Sequence, residues 1–188
     1  MSKSIYDLKR QIIEKLPFAD DRVVVNQFSE LNLNKRYVAW LNDPEVVEFS
    51  EQRFALHSLR SCREYLQSFE NSPNLFLALS TASEPALHFG NMTINLDINN
   101  GVGELGILIG ERSMWGQGYG FSAWNLVCRA LLDCGLRKIS AGTVEPNIAM
   151  LKIMERTGMV ADGRRRGHRL FDNEPVDVIH NALFLDSH

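Results

Sequence analysis

The chain has 188 residues, 45% of them hydrophobic and 23% charged, and a formal net charge of −3. That is enough sequence for one domain with its own core, and too little positive charge for a nucleic-acid surface. No apolar run approaches the ~20 residues that cross a bilayer, and Met1-Ser2-Lys3-Ser4-Ile5 lacks a secretory apolar core. The expectation is a cytoplasmic protein with no nucleic-acid or membrane partner. Cys62, Cys128 and Cys134 form no CxxC or Cys–His pattern, so they read as buried free thiols and no metal site is expected.

Ile5, Leu8, Ile12 and Leu16 recur at helical spacing before Pro17, which predicts an amphipathic helix. It reads as appended (residues 1–18) to a single unit over 20–186. It docks on that unit or on a partner subunit, and a homodimer stays open. Arg22 to Phe28 is rich in β-branched residues and predicts a strand. Asn34 to Leu41 reads as a helix broken by Asn42-Asp43-Pro44. Ser58 caps a second helix over Leu59 to Phe69. Strands follow over Leu75–Leu79 and Leu87–Leu96, with Asn99-Asn100-Gly101 turning into a strand that ends at Ile109. From Gly118 to about Cys134, Tyr119, Ala123, Leu126, Val127, Ala130, Leu131 and Cys134 form one helical stripe, stopped by Gly135. Lys138–Val144 is a strand and Asn147–Thr157 a helix stopped by Gly158. Two last strands, about Met159–Phe171 and Val176–Leu185, flank a turn over Asp172-Asn173-Glu174-Pro175. The pattern is α+β with a mixed sheet.

Glu104 to Gly120 is the segment that carries chemistry. An apolar strand, Glu104-Leu105-Gly106-Ile107-Leu108-Ile109, runs through a polar link into Trp115-Gly116-Gln117-Gly118-Tyr119-Gly120 at the start of the long helix. Glycines there let the backbone approach a phosphate, and the helix start offers free N–H groups and the positive dipole end. A bound diphosphate is predicted. A Rossmann site fits poorly: Phe121 stands where the third glycine of G-x-G-x-x-G belongs, and too little chain follows for a second half, although Glu145 ends the next strand suitably. No Gly-Lys-Ser/Thr follows the glycines, so a P-loop is excluded.

From Arg22 to Leu185 the element order resembles the GNAT N-acetyltransferases, nearest the branch of ribosomal-protein N-terminal and amino-sugar enzymes. Trp115-Gly-Gln-Gly-Tyr-Gly is similar to that branch's pyrophosphate loop, with Gln117 replacing its usual Lys. Glu145-Pro146-Asn147, then Lys152, Glu155, Gly158 and Met159, resemble its next helix, and Asp162-Gly163, Arg166 and Asp177 its closing landmarks. The resemblance implies a mixed, mostly antiparallel sheet flanked by helices, with acetyl-CoA as acyl donor in a cleft where the strand ending at Ile109 splays from Lys138–Val144. It assigns the coenzyme to Ile107, Leu108, Ile109, Trp115, Gly116, Gln117, Gly118, Tyr119, Gly120, Phe121, Asn147 and Lys152. It makes Glu104 the general base. Positions that often carry an acidic Tyr or Ser read Met154 and Met150. It points to Trp40, Phe49, Ser50, Glu51, Arg53 and His57 on one side of the acceptor and Arg166 on the other, Arg166 being expected to pair with Asp177. His88 and His180 read as structural. The implied function is acetyl transfer to the primary amine of a small molecule, an amino sugar or its nucleotide conjugate. A protein N-terminus is the nearest alternative acceptor, and an acyl-CoA sensor without turnover is the alternative of another class.

Overall fold

Apolar residues alternating along the strands divide the molecule into two cores on opposite sides of one sheet. The computed structural model describes residues 5–185, with side chains from Leu8 onward. The side chain of Ile5 and the predicted limits at residues 1 and 186 lie outside them. The strands are β1 (Phe18–Ala19), β2 (Val23–Gln27), β3 (Leu75–Thr81), β4 (His88–Asp97), β5 (Val102–Ile109), β6 (Lys138–Val144), β7 (Val160–Phe171) and β8 (Glu174–Phe184). They form a mixed sheet of order β1-β2-β3-β4-β5-β6-β8-β7, antiparallel except for β5 against β6. Strand β3 is buried throughout. Its Leu75, Leu77 and Leu79 enter one core, Phe76 and Ala78 the other, the period-2 alternation of a strand covered on both faces.

Helices α1 (Ile5–Glu14), α4 (Tyr119–Asp133) and α5 (Ile148–Arg156) cover the Leu77 face, while α2 (Lys35–Leu41) and α3 (Leu59–Ser68) cover the other. Helix α1 docks on its own chain: Leu8 and Ile12 join the first core, and Lys9 Nζ donates to Phe69 O at 2.6 Å and Ser72 O at 2.8 Å. The predicted cap at Ser58 forms, and α2 has one of the same kind at Asn34. Asn34 Oδ1 accepts from Tyr37 N at 3.0 Å and Ser58 Oγ from Ser61 N at 3.2 Å, each satisfying an otherwise orphaned helix-start N–H. In α4 the buried arc is wider than the predicted stripe. Trp124 and Cys128 are fully buried beside Ala123, Val127 and Leu131, because α4 packs on α5 as well as on the sheet.

Two expectations at the last hairpin are corrected. The turn is two residues, not four: Phe171 pairs with Glu174, and Asp172 and Asn173 take φ of 51° and 64°, the left-handed pair a tight hairpin requires. Arg166 does not pair with Asp177. Between Arg165 and Arg169 the register slips, so 166–168 bulge opposite Asp177. Its Oδ1 accepts from Gly167 N at 2.7 Å, and Arg164 takes the ion pair, bridging to Glu145 at 3.1 Å. The Gly167 N–H, then Arg164, hold the Asp177 carboxyl below its usual range.

His88 closes the second core, ringed by Phe28, Tyr37 and Trp40 at centroid separations of 5.6, 6.4 and 5.1 Å, while the Arg36 guanidinium donates to its carbonyl. Burial pushes its pKa down to about 4. Below the unfolded value near 6.5, the unfolded chain binds a proton that the folded chain refuses. Stability contributed by neutral His88 is therefore present above pH 6.5 and lost as pH falls towards 4. In urea titrations, His88→Gln should lose about 3 kcal/mol less than the wild type between pH 7 and pH 4. Equal losses would remove His88 from the acid response.

Candidate active site

Strand β5 meets β6 over a short ladder, Val102, Gly103 and Glu104 against Lys138, Ile139 and Ser140. Beyond it β5 stays with β4 as far as Ile109, and β6 stays with β8 as far as Val144. The strands part, and the β5 edge from Leu105 to Ile109 has no strand beside it. Ile107 and Ile109 pack on the first core and Leu108 on the second, so this free length is anchored on both faces.

A groove of about 450 Å³ starts at that edge and runs to the glycine loop. Gly116 and Gly118 take φ of 70° and 88°, and a Cβ at either would meet nothing within 4 Å. The backbone conformation, not crowding, demands glycine there, and it leaves an open cradle. The loop is held from outside. Trp115 Nε1 donates to Ile109 O at 2.9 Å, and an Arg22 guanidinium nitrogen donates to Gln117 O at 2.7 Å while lying 4.9 Å over the Tyr119 ring. Helix α4 opens at Gly118, so the first N–H groups of the helix face outward without intrahelical partners. Across the groove Asn147 caps α5, accepting from Met150 N at 3.2 Å and donating to Thr143 Oγ1 at 3.0 Å. Lys152 and Arg156, one turn apart on α5, add positive charge to the wall.

A second cavity, about 390 Å³, lies on the opposite side of β5, between the sheet and α2–α3. The two share Ser50, Ile107 and Leu108. A ligand threaded along the groove thus meets whatever fills the cavity at the middle of the free edge.

Of the residues predicted for the coenzyme, Ile107, Leu108, Ile109, Trp115, Gly116, Gly118, Gly120, Phe121, Asn147 and Lys152 line the groove. Two side chains turn away: the Gln117 amide donates to Ser113 O, and Tyr119 packs on Phe89 at 5.5 Å. Only their main chains belong to the loop. Glu104 is exposed at the point of parting, on the strand face of Gly106 and Leu108, and lines neither cavity. Phe49 and Ser50 line the groove, whereas Trp40, Glu51, Arg53 and Arg166 line neither space. Trp40 is buried because its indole fills the volume that a Cβ on Gly110 would occupy. Arg53 donates to Glu48 O and Leu170 O, both at 2.9 Å, and Glu51 pairs with Arg169 at 2.9 Å. Those charges tie the segment to the last hairpin. Sequence reading missed Arg156, legible as the i+4 partner of Lys152. It also missed Asn91 and Thr93, polar residues at i, i+2 that alternate with the buried Phe89, Met92 and Ile94 of β4 only in part.

A free strand edge, a glycine cradle at a helix start and two cations form a donor set suited to a long, amide-bearing chain that ends in a diphosphate. That defines the class of acyl-CoA-binding α+β folds. Residues 22–160 match the acetyltransferase (GNAT) domain, and the chain belongs to that family. An uncharacterized protein of Methanocaldococcus jannaschii is 25% identical over 139 residues, 74% of this chain but only 28% of that protein. Ribosomal-protein-S5-alanine acetyltransferase from Vibrio fischeri superposes with a TM-score of 0.76 at 14% identity, over 92% of this chain and 98% of that one. Spermidine N-acetyltransferase from Vibrio cholerae, in complex with CoA and spermine, gives 0.76 at 14%, over 88% and 96%. These two likenesses are of fold.

Replacing Gly118 by Ala forces a Cβ into a left-handed backbone and tilts the cradle. Calorimetric titration with CoA should show affinity weakened about tenfold or more, with the fold intact by circular dichroism. Unchanged affinity would detach the loop from the coenzyme.

Proposed function

We propose that this chain is an acetyl-CoA-dependent N-acetyltransferase acting on the primary amine of a small molecule, an amino sugar or its nucleotide conjugate. The observation that carries the reading is the parting of β5 from β6, which leaves an unpaired edge running from the glycine cradle to the second cavity. Free N–H groups from Gly116 to Phe121, with Lys152 and Arg156, hold the diphosphate. The β5 edge pairs with the pantetheine amides as an added strand would. When bound, acetyl-CoA supplies an acetyl thioester whose carbonyl carbon a neutral amine attacks.

Main-chain N–H groups at Ile107 or Leu108 polarise the carbonyl oxygen at the junction of groove and cavity. Glu104 takes the ammonium proton. It stands four residues from Leu108 on the same strand face, roughly 13 Å along the strand, so the proton passes through a chain of waters. Helix α5 offers no hydroxyl to the departing sulfur: Met150 lines the groove and Met154 is fully buried. Water is left to protonate the thiolate, whose basicity is low enough for that.

The same two methionines favour the second reading, an acyl-CoA sensor that does not turn over. A thiol-release assay with acetyl-CoA against amino sugars, peptides with a free N-terminus and polyamines separates the two, since saturable release with any amine sinks the sensor. Glu104→Gln should lower kcat by about ten- to a hundredfold and flatten the acidic, ascending limb of the pH profile, with CoA affinity kept within about twofold. A wild-type pH profile in that variant removes Glu104 from the chemistry.

A further inference from the structure

The cavity beneath α2 and α3 has a chemistry of its own. No Asp, Glu, Lys or Arg lines it. What converges on it instead are neutral polar ends: the hydroxyls of Tyr37, Tyr65 and Thr93 and the carboxamides of Gln52 and Asn91. None of these side-chain ends makes a hydrogen bond among the described residues. Several such groups elsewhere are tied down, as in the caps at Asn34 and Ser58, and it is the gathering of partnerless ends around one space that points to a ligand.

Asn91 is the sharpest case. The residue is 7% exposed, it lines the cavity, and its Oδ1 has no partner. Leaving a buried carboxamide unpaired is costly unless something that enters the cavity offsets it. A half-turn about its terminal torsion exchanges oxygen and nitrogen, so the same group accepts from an N–H or donates to a hydroxyl. Asn91 pairs across the strands with Leu108, and Thr93 with Gly106. Leu108 borders both groove and cavity, which sets the Asn91 carboxamide beside the spot where the reacting atoms meet.

Resting on the transferase reading above, we propose that this cavity is the acceptor subsite, and that it selects an amine carried on an uncharged, hydroxyl-rich body held by Asn91. A polyamine would bring further positive charges to a wall without a carboxylate, and a phosphate would meet no Lys or Arg there but only His57, whose Nε2 lies 3.1 Å from Gln52 O, so either charge is poorly compensated in a desolvated space. A neutral polyhydroxyl ring finds hydroxyl and amide partners on several sides and an aromatic face at Tyr65. In a nucleotide-linked acceptor only the sugar enters, and the diphosphate stays outside.

The test is binding rather than turnover. Protein saturated with CoA, which carries no acetyl group to transfer, is titrated calorimetrically with a panel of amino-hexoses and amino-deoxyhexoses, with spermidine and with an alanyl peptide. At least one amino sugar should bind more tightly than spermidine or the peptide. Asn91→Ala should weaken that binding about tenfold or more, and Tyr65→Phe, which removes one hydroxyl, about threefold or more. Asn91→Asp should reverse the order in favour of spermidine. Tighter binding of spermidine or the peptide to the wild type, no amino sugar bound, or wild-type affinity in Asn91→Ala would each overturn the proposal. The CoA titration is read in the same series. Wild-type protein that fails to bind CoA overturns the groove reading instead, and variants that keep CoA affinity within about twofold are thereby shown to be folded.

Discussion

A three-residue parallel ladder is all that joins β5 to β6, and the geometry of the site depends on its shortness. Past it each strand is secured by its other neighbour, β5 by β4 out to Ile109 and β6 by β8 out to Val144. Sheet twist widens a gap once pairing stops. An unpaired edge at the rim of a sheet invites aggregation, but one opening inside the molecule is shielded from other chains and presents main-chain donors and acceptors to a ligand of similar repeat. On the proposed reading that ligand is pantetheine, and the energetic cost of the missing ladder is what the coenzyme offsets.

The two cores give this opening its rigidity. Ile107 and Ile109 root the free edge in the core of α1, α4 and α5, and Leu108 roots it in that of α2 and α3. Neither side chain set can shift without disturbing a close-packed cluster. The glycine loop is fixed by the same logic from a different direction, through the Trp115 indole and the Arg22 guanidinium on main-chain carbonyls. Donors held this way need little rearrangement when an anion arrives, which is the preorganisation that binding and electrostatic stabilisation both exploit.

Between α2 and α3 the chain from Asn42 to His57 has little regular structure, yet it is strapped to the last hairpin. Phe49 stacks on Phe171 at 5.3 Å and 15°, Arg53 reaches Leu170 O, and Glu51 pairs with Arg169. Each exposed ion pair is worth at most about 1 kcal/mol; the stack and the carbonyl contacts add direction. Together they keep Ser50 on the border of groove and cavity. The bulge at 166–168, clamped by Asp177 and Arg164, shapes the hairpin that receives these straps.

Much of this was legible residue by residue. Element order, the cap at Ser58, the glycine stops at Gly135 and Gly158, and the strand-loop-helix cradle are set by interactions within a few residues, so the sequence determined them by itself. The ten residues expected at the coenzyme that line the groove belong to short contiguous segments, so their nearness to one another is local. Long-range packing decided the rest. Which arginine meets Asp177 turned on a bulge invisible to strand alternation. Trp40, Glu51 and Arg53, expected at the acceptor, line neither space; where they go depends on Gly110 and on a hairpin more than a hundred residues away. Tyr37, Tyr65, Asn91 and Thr93 share one cavity only because strand pairing and helix docking bring distant segments together, and no local pattern records which polar ends will be left without a partner there.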